Sequence, residues 1–535
     1  MRAHRDTFAQ GHLPPEDQWP RMEFSRPEVS YPDTLNCAAE LVDRQVREGY
    51  GDRPAIHFPG GVWSYARLLE QSNRMASALV KDCGLAPGNR VLLRGPNNPM
   101  MAAAWLAVLK AGGICVTTMP LLRPRELAAT IDKAEIALAL CDARFSEDLV
   151  QARAAAPMLQ RVVTFDGAGA ELDLMMRRAS SNFPNVPTAA DETAIIAFTS
   201  GTTGQAKGTM HFHRDILAIC DLFPRSCLRA GPDDVFCGSP PLAFTFGLGG
   251  ILLFPLRIGA SSLLLENAAP PHLIKGIQDH RASVCFTAPT AYRAMLGLLA
   301  QHDISSLRKC VSAGEHLPLA TFEGWRKATG ISIIDGIGST EMLHIFVSAA
   351  DEEIRPGSTG KAVPGYDAKI VDDAGREVPR GTVGRLAVRG PTGCRYLDNA
   401  ERQQVYVKQG WNFPGDSFSQ DADGYFWYQA RTDDMIISSG YNIAAAEVEN
   451  VMLEHPAVQE CGVVGVPDEA RGHLIKAFVV LRAGQAPGDD LVKELQDHVK
   501  AQIAPYKYPR AIEFVAALPR TETGKLQRFR LREHA

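Results

Sequence analysis

Short apolar runs alternate with amphipathic stretches through the first two thirds of the chain. Positions 64–79 carry Leu68, Leu69, Met75, Ala76 and Leu79 at helical spacing, with Ser64 placed to cap the start. An Ala-rich helix is predicted over 100–111. Strands are predicted at 90–93, 114–117, 137–141, 161–165, 193–198, 283–287, 309–312 and 333–337. Strands alternating with helices predict parallel α/β sheets. Residues 240–250 read as a strand end, with Phe244 and Phe246 two apart, opening through glycines into a cavity. Beyond residue 355 the pattern shortens to β-like runs such as 368–371 and 384–390, separated by turns. Arg431-Thr-Asp-Asp434 separates this β region from a last unit. That unit has a helix with Val448, Val451 and Met452 on one face and strands near 462–466 and 477–481. Residues 1–33, rich in Pro, charge and aromatics, read as an irregular arm on the main domain.

The fold class predicted is therefore multidomain α/β. A large N-terminal domain, 1–432, combines parallel α/β subdomains with a small β subdomain. A small α+β domain follows at 433–535. A chain of 535 residues exceeds one ordinary core, which agrees.

Three apolar strands end in small, polar loops. The first loop is Thr199-Ser-Gly-Thr-Thr-Gly-Gln-Ala-Lys-Gly208, the second Ala313-Gly-Glu-His316, the third Asp335-Gly-Ile-Gly-Ser-Thr-Glu341. Ligands of open α/β sheets sit outside the carboxyl ends of strands. Backbone N–H groups, hydroxyls and one lysine suit a polyanion, so the first loop suggests nucleotide phosphates. A flexible polar turn would have the same composition. The common phosphate loop is disfavoured, because four residues after Gly201 stand Ala206, Lys207 and Gly208 in place of Gly, Lys and Ser or Thr, so two required positions fail.

Composition narrows the choice. Hydrophobic content of 45% and charged content of 22% are those of a soluble globular protein. A net charge of −5 gives no electrostatic case for nucleic acid or anionic membrane. The 11 cysteines are scattered without a C-x-x-C pair, which suits a reducing compartment. The first residues are charged, with no apolar signal core, and no apolar run reaches a membrane span. A cytoplasmic enzyme is expected.

Taken in order, the motifs resemble those of the adenylate-forming superfamily of acyl-CoA synthetases, adenylation domains and luciferases. They are the Ser/Thr/Gly loop, Gly338-Ser-Thr-Glu341, Gly384-Arg-Leu-Ala-Val-Arg-Gly390, Asp416, Arg431-Thr-Asp-Asp434, Ser439-Gly440 and Thr523-Gly-Lys525. The run 335–346, His12-Leu-Pro-Pro and Leu35-Asn-Cys-Ala are most similar to benzoate- and 2-aminobenzoate-CoA ligases.

The resemblance implies two half-reactions. A carboxylate attacks the α-phosphate of ATP, giving acyl-AMP and pyrophosphate; coenzyme A then displaces AMP. It implies that Thr199, Ser200, Gly201, Thr202, Thr203, Gly204 and Lys207 hold the β- and γ-phosphates. Thr340 contacts the α-phosphate and Glu341 holds Mg²⁺. Gly314, Glu315, Asp335, Gly336 and Ile337 line the adenine slot, with Ile337 an apolar plate where many relatives have an aromatic. Asp416 and Arg431 take the ribose and phosphate. Lys525 is the catalytic lysine of the first step, Asp433 the hinge, and Gly440 lines the pantetheine tunnel. Phe246, Ala313, Gly338, His344 and Ile345 match the acid pocket. Thr245 stands where amino-acid-activating relatives keep an Asp, which disfavours α-amino acids. The partners implied are a small aromatic acid and coenzyme A, with the chain a monomer or homodimer. Other readings are a ligase for a different aryl or medium-chain acid, acyl transfer to a separate carrier protein, and a nucleotide-binding protein without chemistry.

Overall fold

A computed structural model describes residues 2–200, 206–431, 435–438, 441–468, 472–503, 507–520 and 526–534. Two large sheets form the N-terminal domain. The six-stranded sheet runs Arg161–Phe165, Leu138–Asp142, Arg90–Arg94, Ile114–Thr118, Thr193–Ser200, Ala206–Phe212, parallel until the antiparallel last pair. The nine-stranded sheet is parallel through Ile333–Gly338, Lys309–Ser312, Val284–Thr287, Val235–Gly238, Ser261–Leu263 and Pro54–Phe58, with antiparallel strands at both ends.

One core joins the sheets. It contains Val91, Leu93, Cys115 and Ile195 from the first and Phe236, Val284, Phe286 and Val311 from the second. The helix Pro99–Lys110 lies in that core with every residue buried, as an apolar helix must. Asn98 caps it by accepting from the Met101 N–H at 2.9 Å. Ser64 caps the helix Tyr65–Cys83 as expected, accepting from Arg67 N–H at 3.2 Å, and Gly84 ends it at φ +70°.

A small antiparallel sheet follows. Asp367–Val371, Gly384–Arg389, Asp416–Gln420 and Phe426–Arg431 are its longer strands. The N-terminal arm is irregular apart from short helical turns, and it ties this sheet down: Arg21 N–H donates to Gly410 O and Glu23 N–H to Gly390 O, both at 2.9 Å. The C-terminal unit pairs Val458–Asp468, Gly472–Leu481 and Ala511–Phe514, with the helices Ala445–Glu454 and Asp489–Gln502 alongside. Val448, Val451 and Met452 are buried as the spacing predicts.

One expectation is overturned. Residues 240–250 are not a strand end. The strand stops at Gly238, Pro240-Pro241 ends the pairing, and helical turns run from Thr245 to Ile258. The glycines serve close packing: a Cβ on Gly247 would stand 2.2 Å from Pro241 O, on Gly249 2.4 Å from the His344 ring, and on Gly250 2.5 Å from the Phe286 ring. Among the described residues, no helix is long and apolar enough to cross a membrane.

Candidate active site

Three parallel strands end in register. Thr287 pairs with Ser312, and Ser312 with Asp335. The loop leaving the second carries Ala313, Gly314 and Glu315, and the third continues through Gly336, Ile337 and Gly338 as a strand paired antiparallel with Ile345–Ser348. Of the three strands whose loops the sequence brings together, Lys309–Ser312 and Ile333–Gly338 are neighbours in this sheet, whereas Thr193–Ser200 lies in the other sheet. Gly314 sits at φ +90°, a conformation glycine adopts without strain. The Asp335 backbone carbonyl accepts from Ser348 Oγ at 2.6 Å, while burial pushes its carboxyl up to about 7. The return strand Ile345–Ser348 presses on this hairpin. A Cβ on Gly336 would meet the Ile345 side chain at 2.7 Å, and one on Gly338 the His344 carbonyl oxygen at 2.6 Å.

Between these strands, residues 339–343 turn tightly. Leu343 N–H donates to Thr340 O at 3.1 Å, and Leu343, buried, takes φ +70°. A left-handed leucine costs about 1–2 kcal/mol, so the turn is imposed by its surroundings. His211 supplies part of that: its Nε2 meets Thr340 O at 2.8 Å. Burial, and then the Arg395 cation, lower the His211 pKa to about 4, so the ring is neutral and donates through Nε2. His211 escaped the sequence reading, although a signal existed. In a strand it shares a face with Lys207 and Thr209.

The Ser/Thr/Gly loop joins two antiparallel strands, Thr199 opposite Lys207 and Ser200 opposite Ala206. A common phosphate loop instead leads from a strand into a helix; here the helix begins only at His213. Gly201, Thr202, Thr203 and Gly204 lie outside the described residues, as do Asp433, Gly440 and Lys525.

Residues that the sequence assigns to an acid pocket come together around His344. Its ring lies 4.5 Å from that of Phe254, 5.7 Å from that of Phe246 and 6.3 Å from that of Phe286. Phe246 and Phe286 are themselves 5.7 Å apart. Ala313 and Ile345 are buried beside them in the same core. Burial lowers the His344 pKa to about 3, so the imidazole is neutral at physiological pH. Its Nε2 makes one long contact, 3.4 Å to Phe246 O, and Nδ1 has no partner among the described residues. Phe254 and Phe286, not singled out in the sequence, complete this ring cluster; as core phenylalanines they carry no sequence signal that sets them apart from ordinary packing.

On the ribose side, Asp416 is buried and stands directly opposite Arg431 in the small sheet. Glu315 departs from a simple slot-lining role. Its carboxylate pairs with Arg520 of the C-terminal unit at 3.0 Å, and Arg520 also binds Glu460 at 2.6 Å. Next to it, His316 stacks on Tyr428 with centroids 5.2 Å apart and accepts from Asn450 Nδ2 at 3.0 Å. The second loop therefore meets the C-terminal unit directly.

The AMP-binding enzyme model matches residues 42–396, and the AMP-binding enzyme C-terminal domain matches 447–525. The chain is 35% identical to benzoate–CoA ligase of Thauera aromatica over 517 residues, 95% of this chain and 97% of that one. It superposes on the anthranilate CoA ligase AuaEII in complex with anthranoyl-AMP with a TM-score of 0.91 at 35% identity, covering 95% of this chain and 99% of that one. For a benzoate CoA ligase from Burkholderia xenovorans LB400 the TM-score is 0.85 at 32% identity, over 93% and 100%. With both family domains present and likeness running nearly end to end, the chain belongs to the AMP-binding enzyme family and is an AMP-forming acid–CoA ligase.

Proposed function

We infer that the protein is an aromatic-acid CoA ligase of the benzoate and 2-aminobenzoate type. It joins the acid to ATP, giving acyl-AMP and pyrophosphate, then passes the acyl group to coenzyme A. The reading rests on the cluster of Phe246, Phe254 and Phe286 rings around a neutral His344, in the same short segment as Thr340 and Glu341. A flat ring gains edge-to-face contacts there, and no fixed charge favours an aliphatic ammonium. The names of the similar ligases agree with that substrate class.

In this reading two anions must meet in the first step, so catalysis is chiefly alignment and charge neutralisation. Lys207 and the loop before it hold the departing pyrophosphate. Thr340 meets the α-phosphate from a turn braced by His211. Glu341 offers a carboxylate, the donor that Mg²⁺ prefers, and Mg²⁺ when bound neutralises phosphate charge. Asp416 takes the ribose hydroxyls and Arg431 adds to them. Lys525 stabilises the transition state of adenylation, and the unit 433–535 then turns about Asp433 to bring Gly440 to the pantetheine path. The enzyme works in the cytoplasm as a monomer or homodimer; its eleven unpaired cysteines suit a reducing compartment.

A specific observation favours 2-aminobenzoate over benzoate. With Nε2–H directed at Phe246 O, the Nδ1 of His344 is an acceptor without a donor. An aromatic amine supplies that N–H and benzoate does not. CoA-dependent AMP release across substituted benzoates, alkanoates and amino acids tests the reading. Turnover confined to aryl acids supports it; equal turnover of alkanoates sinks it. His344→Phe should shrink any preference for 2-aminobenzoate over benzoate, and an unchanged ratio removes the role given to Nδ1.

A further inference from the structure

The segment containing Arg395 and Tyr396 lies between the strand leaving the phosphate loop and the 339–343 turn, and the sequence reading gave it no role. It extends the sheet beside that strand: Met210 N–H donates to Arg395 O and Leu397 N–H to Gly208 O, both at 2.8 Å, with Thr209 and Tyr396 bridged. Arg395 anchors it through a fully buried ion pair with Asp215 at 2.8 Å. From this fixed backbone the Tyr396 phenol donates to Glu341 Oε1 at 2.6 Å. Two neighbours brace the same turn. Thr392 Oγ1 donates to Met342 O at 2.8 Å, and Tyr406 OH lies 3.1 Å from Ser339 Oγ.

We propose that Tyr396 is a positioning residue for the cation used in adenylation, holding Oε1 of Glu341 so that the carboxylate presents its second oxygen in one fixed orientation. The inference rests on the reading of Glu341 as the Mg²⁺ ligand. A glutamate has three side-chain torsions, and an unanchored one must lose that freedom when it binds a cation. The Tyr396 ring, buried and packed edge-on against Tyr406 at 5.8 Å, has lost its freedom already. Hydrogen-bond partners of metal ligands commonly govern about 10- to 100-fold of metal affinity.

The test uses Mn²⁺ as an EPR probe, titrated into enzyme saturated with α,β-methylene-ATP, so no turnover enters the measurement. Tyr396→Phe should weaken Mn²⁺ binding by about tenfold or more. Affinity for the analogue in EDTA should not change. In turnover, half-saturating Mg²⁺ for pyrophosphate exchange should rise in parallel, and excess Mg²⁺ should restore the rate. Mn²⁺ affinity equal to wild type in Tyr396→Phe overturns the proposal. Glu341→Gln separates the two layers. If it weakens Mn²⁺ binding while Tyr396→Phe does not, only the role of Tyr396 falls; if neither does, the reading of Glu341 falls too. Tyr396→Leu, read in the same way, serves where the Phe variant does not fold.

Discussion

Gly249→Ala puts one methyl group against the His344 ring, beside which the proposed function places the acid. The added Cβ would stand 2.4 Å from His344 Cδ2 and 2.9 Å from Nε2. Carbon atoms rest at about 3.5–4.0 Å, so the imidazole must retreat by roughly 1 Å. Phe254, 4.5 Å away ring to ring, blocks part of that movement. Overpacking of this kind costs about 1–3 kcal/mol. Gly249 has helical angles, φ −63° and ψ −58°, so alanine there recovers about 1 kcal/mol of helix propensity. Net stability should therefore fall by no more than about 2 kcal/mol. The pocket should suffer more, because the displaced ring borders the acid. At 1.4 kcal/mol per factor of ten, KM for the aryl acid should rise about tenfold. KM for ATP should stay near wild type. Urea unfolding and acid-dependent pyrophosphate exchange measure the two effects separately. An unchanged acid KM in a destabilised variant would refute the placement of the acid beside His344.

Three further outcomes follow from the same geometry. His211 and His316 are held near 4 and His213 and His344 near 3, all chiefly by burial, so each takes up protons on unfolding below about pH 6.5. Stability from these groups is complete above that pH. Each loses about 1.4 kcal/mol between pH 7.5 and 5.5, offset in part by Asp335, whose raised pKa of about 7 acts the other way. Urea midpoints should thus fall across this window, and a flat profile contradicts the neutral buried histidines. Arg520→Ala removes the guanidinium shared by Glu315 and Glu460, and should slow pyrophosphate exchange severalfold while sparing thioester formation from supplied acyl-AMP; equal loss of both steps would make it a folding contact. Lys525→Ala should abolish exchange and leave thioester formation from acyl-AMP intact, and exchange at the wild-type rate would remove its catalytic role.

Much of the scaffold was legible because periodicity and capping agree there. Ser64 and Gly84 bound a helix whose apolar face is continuous, and the strands at 90–94 and 138–142 hold unbroken apolar runs at 91–93 and 138–141. Legibility failed at 240–250, where two aromatics two apart mimic a strand but the glycines exist to let helical turns approach Pro241, His344 and Phe286. In the site, the loops were legible because small and hydroxyl residues after apolar strands are unusual. The bracing residues were not. Tyr396 acts from 55 positions beyond Glu341 and Thr392 from 50 beyond Met342, through contacts that only the folded chain creates. Glu315 shows the converse, a residue assigned to the nucleotide whose carboxylate also engages Arg520 in another unit.

The central claim is that the acid's own oxygen attacks the α-phosphate. Single-turnover reaction of benzoate or 2-aminobenzoate labelled with ¹⁸O in the carboxylate, with ATP, Mg²⁺ and coenzyme A, followed by mass spectrometry of the products, tests it most directly. The account predicts one ¹⁸O in the AMP released with the acyl-CoA and none in pyrophosphate. Label in inorganic phosphate with ADP as the nucleotide product, or unlabelled AMP, would contradict it.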